Sequence, residues 1–146
     1  MNVNELTRER LANMFDHTCL KAFAREEDFR KLCEEARDNG FKMVAINSSP
    51  VRFCKEILKD TPVHVGAAIS FPLGQTTTET KCFETQNAID NGADEIDYVI
   101  NVGEVKNGNY AYIEEEMRRI TEICRAAGVL VKVIFENCYL ETVSYT

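Results

Sequence analysis

Positive charge is in short supply in this sequence, and that shortage is the first thing to narrow its partners. Seventeen Lys plus Arg stand against 24 Asp plus Glu, a net charge of -7, so no basic field exists to hold nucleic acid or an anionic membrane surface. No apolar run approaches the roughly 20 residues of a membrane-spanning helix. The opening stretch MNVNELTRERLANMF lacks the basic segment followed by an unbroken apolar one that marks a secretory signal. The expectation is a cytoplasmic protein with no nucleic-acid and no membrane partner.

Metal and disulfide patterns are missing as well. Six cysteines, at 19, 33, 54, 82, 124 and 138, form no CxxC pair, which argues against a zinc site and against a disulfide scaffold. They read as reduced thiols acting as small hydrophobes, with Cys19 and Cys138 in predicted loops where a reactive thiol would fit best. Neither His17 nor His64 has an i, i+4 partner or a neighbouring acidic triplet; each is read as an ordinary hydrogen-bonded histidine, and no metal is expected. No linker rich in Pro, Gly or Ser breaks the chain, so residues 1–146 are read as one domain.

What is present is a repeat of helix and strand. Phe29, Leu32, Cys33 and Ala36 recur at helical spacing from Glu26 to Gly40, and Asn39-Gly40 supplies a left-handed stop. FKMVAI (41–46) follows as a short apolar strand, and Ser49-Pro50 offers an N-cap with proline in the first turn. Val63 to Ile69 reads as the next strand, and Thr76 with Glu79 as the capping box of a helix that ends near Asn91-Gly92. Asp94 to Val102 is a further strand candidate. Ile113, Met117, Ile120, Cys124 and Ala127 then mark an amphipathic helix stopped by Gly128, before the strand VLVKVIF (129–135). With MFDH (14–17) the count is five strands spaced as successive βα units, which predicts a parallel sheet.

Parallel sheets are mostly open doubly wound sheets or closed eight-stranded barrels. A dinucleotide-binding sheet needs a glycine-rich first turn, and the first turn here, Asp16-His17-Thr18-Cys19, has none. Charges also lie inside two strands: Asp97 between Ile96 and Tyr98, and Lys132 between Val131 and Val133. A barrel interior explains them better than an open sheet, yet five units are too few to close a barrel of roughly 250 residues. The fold class is therefore read as α/β, a partial TIM (β/α)8 barrel with about five parallel strands and helices outside.

Asp97 is the most informative residue, because a carboxylate desolvated in a covered sheet requires a partner. Lys132, on the next strand, is the obvious one. The two form either a catalytic pair or a buried structural ion pair. Asp16 is placed at the end of the first strand, where it is either a second carboxylate of a proton relay or a turn cap. Phe71-Pro72-Leu73-Gly74 is an apolar loop that could pack over the sheet end, and Glu114-Glu115-Glu116 with Arg118-Arg119 reads as a solvated helix face.

Taken together, Phe15-Asp-His-Thr-Cys-Leu-Lys21, Ser70-Phe-Pro-Leu-Gly74 with Thr77 and Glu79 to Lys81, Asn91-Gly-Ala-Asp-Glu-Ile-Asp97 with Val99-Ile-Asn101, and Leu130-Val-Lys-Val-Ile134 with Glu136 resemble the deoxyribose-phosphate aldolase family. That resemblance implies a class I aldolase that reversibly cleaves 2-deoxy-D-ribose 5-phosphate to D-glyceraldehyde 3-phosphate and acetaldehyde through a lysine Schiff base, with no cofactor. By motif position it implies Asp97 as the proton-shuttling aspartate, Lys132 as its ion-pair partner, Asp16 as the supporting carboxylate, and Leu20 and Asn47 as substrate-pocket residues. The lysine followed by Thr-Ser-Thr-Gly that carries the nucleophile in the family does not occur in these 146 residues. The chain is accordingly expected to be truncated after the fifth βα unit and inactive alone, or to act as a noncatalytic interaction module. Exposed sheet edges are expected to drive self-association.

Overall fold

In the computed structural model residues 6–140 are described, and they alternate between helix and strand. Helix α1 (Arg8–Ala12) leads into β1 (Asp16–Cys19), α2 (Glu26–Asn39), β2 (Met43–Asn47), α3 (Val51–Leu58), β3 (His64–Ile69), α4 (Thr78–Asp90), β4 (Glu95–Val99), α5 (Val102–Lys106), α6 (Tyr110–Ala127) and β5 (Leu130–Ile134). A 3-10 turn follows at Asn137–Tyr139. The five strands form one sheet in the order β1-β2-β3-β4-β5, every neighbouring pair parallel. Each strand thus returns beside its predecessor, the winding of consecutive βα units.

Strand alternation sorts the side chains into two faces. One carries Val44, Ile46, Val65, Ala67, Ile69, Ile96 and Tyr98, all fully buried under the helices against Leu32, Cys33, Ala36, Val51, Cys54, Leu58, Ile120 and Cys124. The opposite face carries Asp16, Met43, Asn47, His64, Gly66, Ala68, Glu95, Asp97 and Lys132, as the register of paired residues requires. This polar face is concave. In a flat sheet β1 and β5 would stand roughly 19 Å apart at about 4.8 Å per strand, yet Lys132 Nζ on β5 lies 2.9 Å from Asp16 Oδ2 on β1. Only a sheet curled into an arc brings those side chains together, and that curl makes the fold a partial barrel.

Several local expectations shift. Asp16 opens β1 instead of ending it, and the residues read as the first turn, Asp16 to Cys19, are the strand itself. Pro50 rather than Ser49 is the N-cap of α3, with no side-chain cap bond. Thr77 rather than Thr76 caps α4 by accepting from the Thr80 amide, while Thr76 bonds Ser70 through their hydroxyls at 2.7 Å. The strand expected over 94–102 stops at Val99, because Asn101 accepts the Glu104 amide and starts α5. Glu116, grouped with a solvated face, is fully buried and paired with Lys81 at 2.7 Å. Glu114 and Glu115 of the same run do stay exposed, and Glu115 accepts from Arg118.

The cysteines are free thiols. Cys33 and Cys54 are buried on α2 and α3, and the neighbouring Cys33 thiol together with burial pushes the Cys54 thiol far above its ordinary value. Burial pushes Cys124 up to about 11. Cys138 is exposed and Cys19 half-buried at the end of β1.

Candidate active site

Lys132 is the centre of the concave face. It pairs with Asp97 in the β4–β5 register, so the strand geometry itself sets the two side chains side by side. Its ammonium lies 3.1 Å from Asp97 Oδ2, 2.9 Å from Asp16 Oδ2 and 3.7 Å from Glu95 Oε2. Three carboxylates from two strands therefore surround one amine. Glu95 and Asp97 share the face because they are two residues apart on β4.

The electrostatics follow from that crowding. Burial raises Asp97 above its ordinary carboxyl value; the Lys132 ammonium pulls it back only in part, and the charges of Asp16 and Glu95 add to the rise. For Lys132 burial works to lower the value, but hydrogen bonds and charge from Asp16 and Asp97 outweigh it and leave the amine above an ordinary lysine. Lys132 is thus held as an ammonium, which suits it to orient and charge-balance a carboxylate and not to attack a carbonyl. Asp97 commits Oδ2 to Lys132, and its Oδ1 is buried without a hydrogen-bond partner among the described residues. That oxygen is left without a donor from the surrounding side chains.

Of the cavities at the end of the sheet where the strands finish, two are lined by Asn47. One, of about 350 Å³, is lined by Lys21, Glu26, Phe29, Asn47, Ser49 and Phe53. The other, of about 360 Å³, is bounded by Asn47, Ala68, Ser70, Phe71, Leu73 and Glu84. Asn47 lines both, and Ala68 is the register partner of Asp97, so the second cavity adjoins the ion cluster. Leu20 is half-buried just beyond β1 and lines neither of these two cavities.

The family model described as DeoC/LacD family aldolase matches residues 10–145. The chain belongs to this aldolase family. It is 53% identical over 134 residues to the deoxyribose-phosphate aldolase of Lactobacillus acidophilus, covering 92% of this chain and 56% of that protein. With the deoxyribose-phosphate aldolase of Bacteroides thetaiotaomicron it shares 50% identity over 143 residues, 95% of this chain and 60% of the relative. The tetrameric deoxyribose phosphate aldolase of Aeropyrum pernix superposes with a TM-score of 0.88 at 29% identity, over 97% of this chain and 59% of that one. The chain thus spans somewhat more than half the length of the relatives it matches.

Within this aldolase family member, Glu84 is a site feature that sequence reasoning passed over. From α4 it accepts the Ser48 hydroxyl at 2.8 Å and the Ser70 amide at 2.9 Å, tying together the two loops that bound the second cavity. Ser70 has a left-handed φ of 51°, a costly conformation for a non-glycine residue, and the carboxylate on its amide holds it there. Glu95 was missed too, although its spacing from Asp97 was a usable signal. Nothing in the local sequence marks Glu84, because its partners are 14 and 36 residues away.

Proposed function

We propose that this chain carries the proton-transfer half of a deoxyribose-phosphate aldolase site, with Asp97 as the proton-shuttling group, Lys132 as the ammonium that orients it, Asp16 as the carboxylate that anchors Lys132, and Leu20 and Asn47 as contacts to the substrate. The observation that carries this reading is the Asp97–Lys132–Asp16 cluster on the concave face, with one Asp97 oxygen unpartnered. Cleaving 2-deoxy-D-ribose 5-phosphate to D-glyceraldehyde 3-phosphate and acetaldehyde breaks the C2–C3 bond. The C3 hydroxyl must lose a proton, and C2 must gain one when the enamine left on the Schiff-base lysine returns to the imine. A carboxyl group whose proton affinity has been lifted by burial can take the first proton and return it. The Schiff-base lysine itself is not one of these residues. Lys132 is too firmly protonated for that role, and the 146 residues alone are read as inactive.

Two experiments test the reading. Borohydride treatment of the chain with the deoxysugar phosphate, followed by intact mass, is expected to give no adduct; an adduct on Lys132 overturns the assignment. A chimera in which this chain replaces the matched part of the Lactobacillus acidophilus aldolase is expected to cleave the substrate, and Asp97→Asn in it to lower kcat by about 100-fold or more. A chimera whose turnover is indifferent to Asp97→Asn and to Lys132→Met rules the relay out.

A second reading, a noncatalytic module that pairs with another polypeptide or another copy, rests on the exposed apolar residues at the two ends of the sheet. Met14 and Phe15 precede β1, Leu130 opens β5 and Phe135 follows it, each 43% to 58% exposed.

A further inference from the structure

The ion cluster around Lys132 does not end at Asp16 and Asp97. Glu95, fully polar yet 5% exposed, splits its carboxylate: Oε2 faces Lys132 Nζ at 3.7 Å, and Oε1 bonds His64 Nδ1 at 2.7 Å. His64 in turn meets Lys42 Nζ through Nε2 at 3.3 Å. An ammonium can only donate, so Nε2 is the accepting nitrogen and the ring proton is on Nδ1, donated to Glu95. His64 is thereby a neutral link that carries the field of Lys42 to Glu95 without adding a charge. From the residue before β2, through β3 and β4 to β5 and on to β1, the chain of contacts is continuous: Lys42, His64, Glu95, Lys132, then Asp97 and Asp16.

We infer that Glu95 and His64 are positioning residues for the relay: Glu95 is the third carboxylate holding the Lys132 ammonium beside Asp97, and His64 sets how much of that carboxylate Lys132 receives. The inference rests on the relay proposed above and extends it to two residues that touch no reacting atom. Geometry supports the division of labour. Glu95 is too distant from Lys132 for a full hydrogen bond, because its closer bond goes to His64. Loss of the imidazole donor would free the carboxylate to turn toward the amine. Loss of the carboxylate would leave Lys132 with two acidic partners instead of three.

The two changes therefore move Lys132 in opposite directions, a signature that simple loosening of the fold does not produce. The test is ζ-nitrogen NMR of the lysine-labelled 146-residue chain, titrated through the alkaline range. Glu95→Gln is expected to make the Lys132 ammonium lose its proton about threefold more easily. His64→Leu is expected to make it hold the proton more tightly, and His64→Gln, which keeps an N–H donor for Glu95, to restore the wild-type midpoint. Amide spectra report whether each variant folds, and if His64→Leu does not, the isosteric Glu95→Gln decides alone. An unchanged midpoint in Glu95→Gln, with Asp97→Asn and Asp16→Asn still shifting it, overturns this inference and leaves the relay standing. If none of the four carboxylate and histidine positions moves Lys132, the relay itself is wrong.

Discussion

Asp97 and Lys132 illustrate how one pair contributes to stability with opposite signs. Asp97 has its folded value raised, first by burial, so its favourable contribution belongs to the protonated form and is lost as pH rises through that folded value. At pH 7 the ionised group is a net cost. Asp97→Asn is therefore expected to raise the melting temperature at pH 7, with the gain shrinking as pH falls toward 4. Lower stability of the variant at pH 7 would contradict the burial argument. Lys132, also raised, stabilises the fold below the ordinary lysine value of 10.5 and loses that effect as pH climbs through its higher folded value. In Lys132→Met the alkaline fall in melting temperature is expected to be shallower than in the wild type. The fully buried lysine behaves differently. Lys81 bonds Glu116 and the Val99 carbonyl with both side chains fully buried, so Lys81→Met leaves a buried carboxylate unpaired and is expected to cost about 3–5 kcal/mol. Adding Glu116→Leu is expected to recover most of that in chemical denaturation, since it removes the orphaned charge.

Among the elements, the loop after β3 shows how far pattern reading reaches. Phe71-Pro72-Leu73-Gly74 was legible as an apolar loop over the sheet end, but its tight seat was not. Gly74 has a φ of 66°, and an added Cβ would lie 2.0 Å from the Ile100 carbonyl oxygen. At Gly108, with a φ of 72°, nothing lies within 4 Å of the same atom. Gly108→Ala is expected to cost about 1 kcal/mol from backbone conformation alone. Gly74→Ala is expected to cost clearly more and to loosen the cavity, measured by urea unfolding of both variants. Equal costs would mean that the loop readily yields. Helix ends were readable where a glycine stops them, at Gly40 and Gly128, both left-handed caps in the structure. They were misread where adjacent hydroxyls competed, as at Thr76 and Thr77, because three successive threonines give local chemistry no basis for choosing the cap. Helix α5 escaped notice since five residues hold too little periodicity to register.

For the molecule as a whole, the arc leaves β1 and β5 with one strand neighbour each among the described residues. Unpaired strand edges beside exposed Met14, Phe15, Leu130 and Phe135 favour association. Sedimentation is expected to show species larger than a monomer that grow with concentration, and Leu130→Lys at the start of the β5 edge to reduce them. A monodisperse monomer across the concentration range would show that the edges are protected in solution.

Apart from α5, the order of strands and helices, the parallel sheet and the two strand-borne charges were readable from residue order, because periodicity, caps and glycine stops act over a few positions. Family membership was readable too, since its motifs lie in short segments. Tertiary structure alone decided that Asp16, opening β1, reaches Lys132 on β5, that Glu95 and His64 join them, and that Glu116 is buried. Those contacts link residues 31 to 116 positions apart, and the curvature that closes them is a property of five twisted strands packed under helices, not of any local stretch of chain.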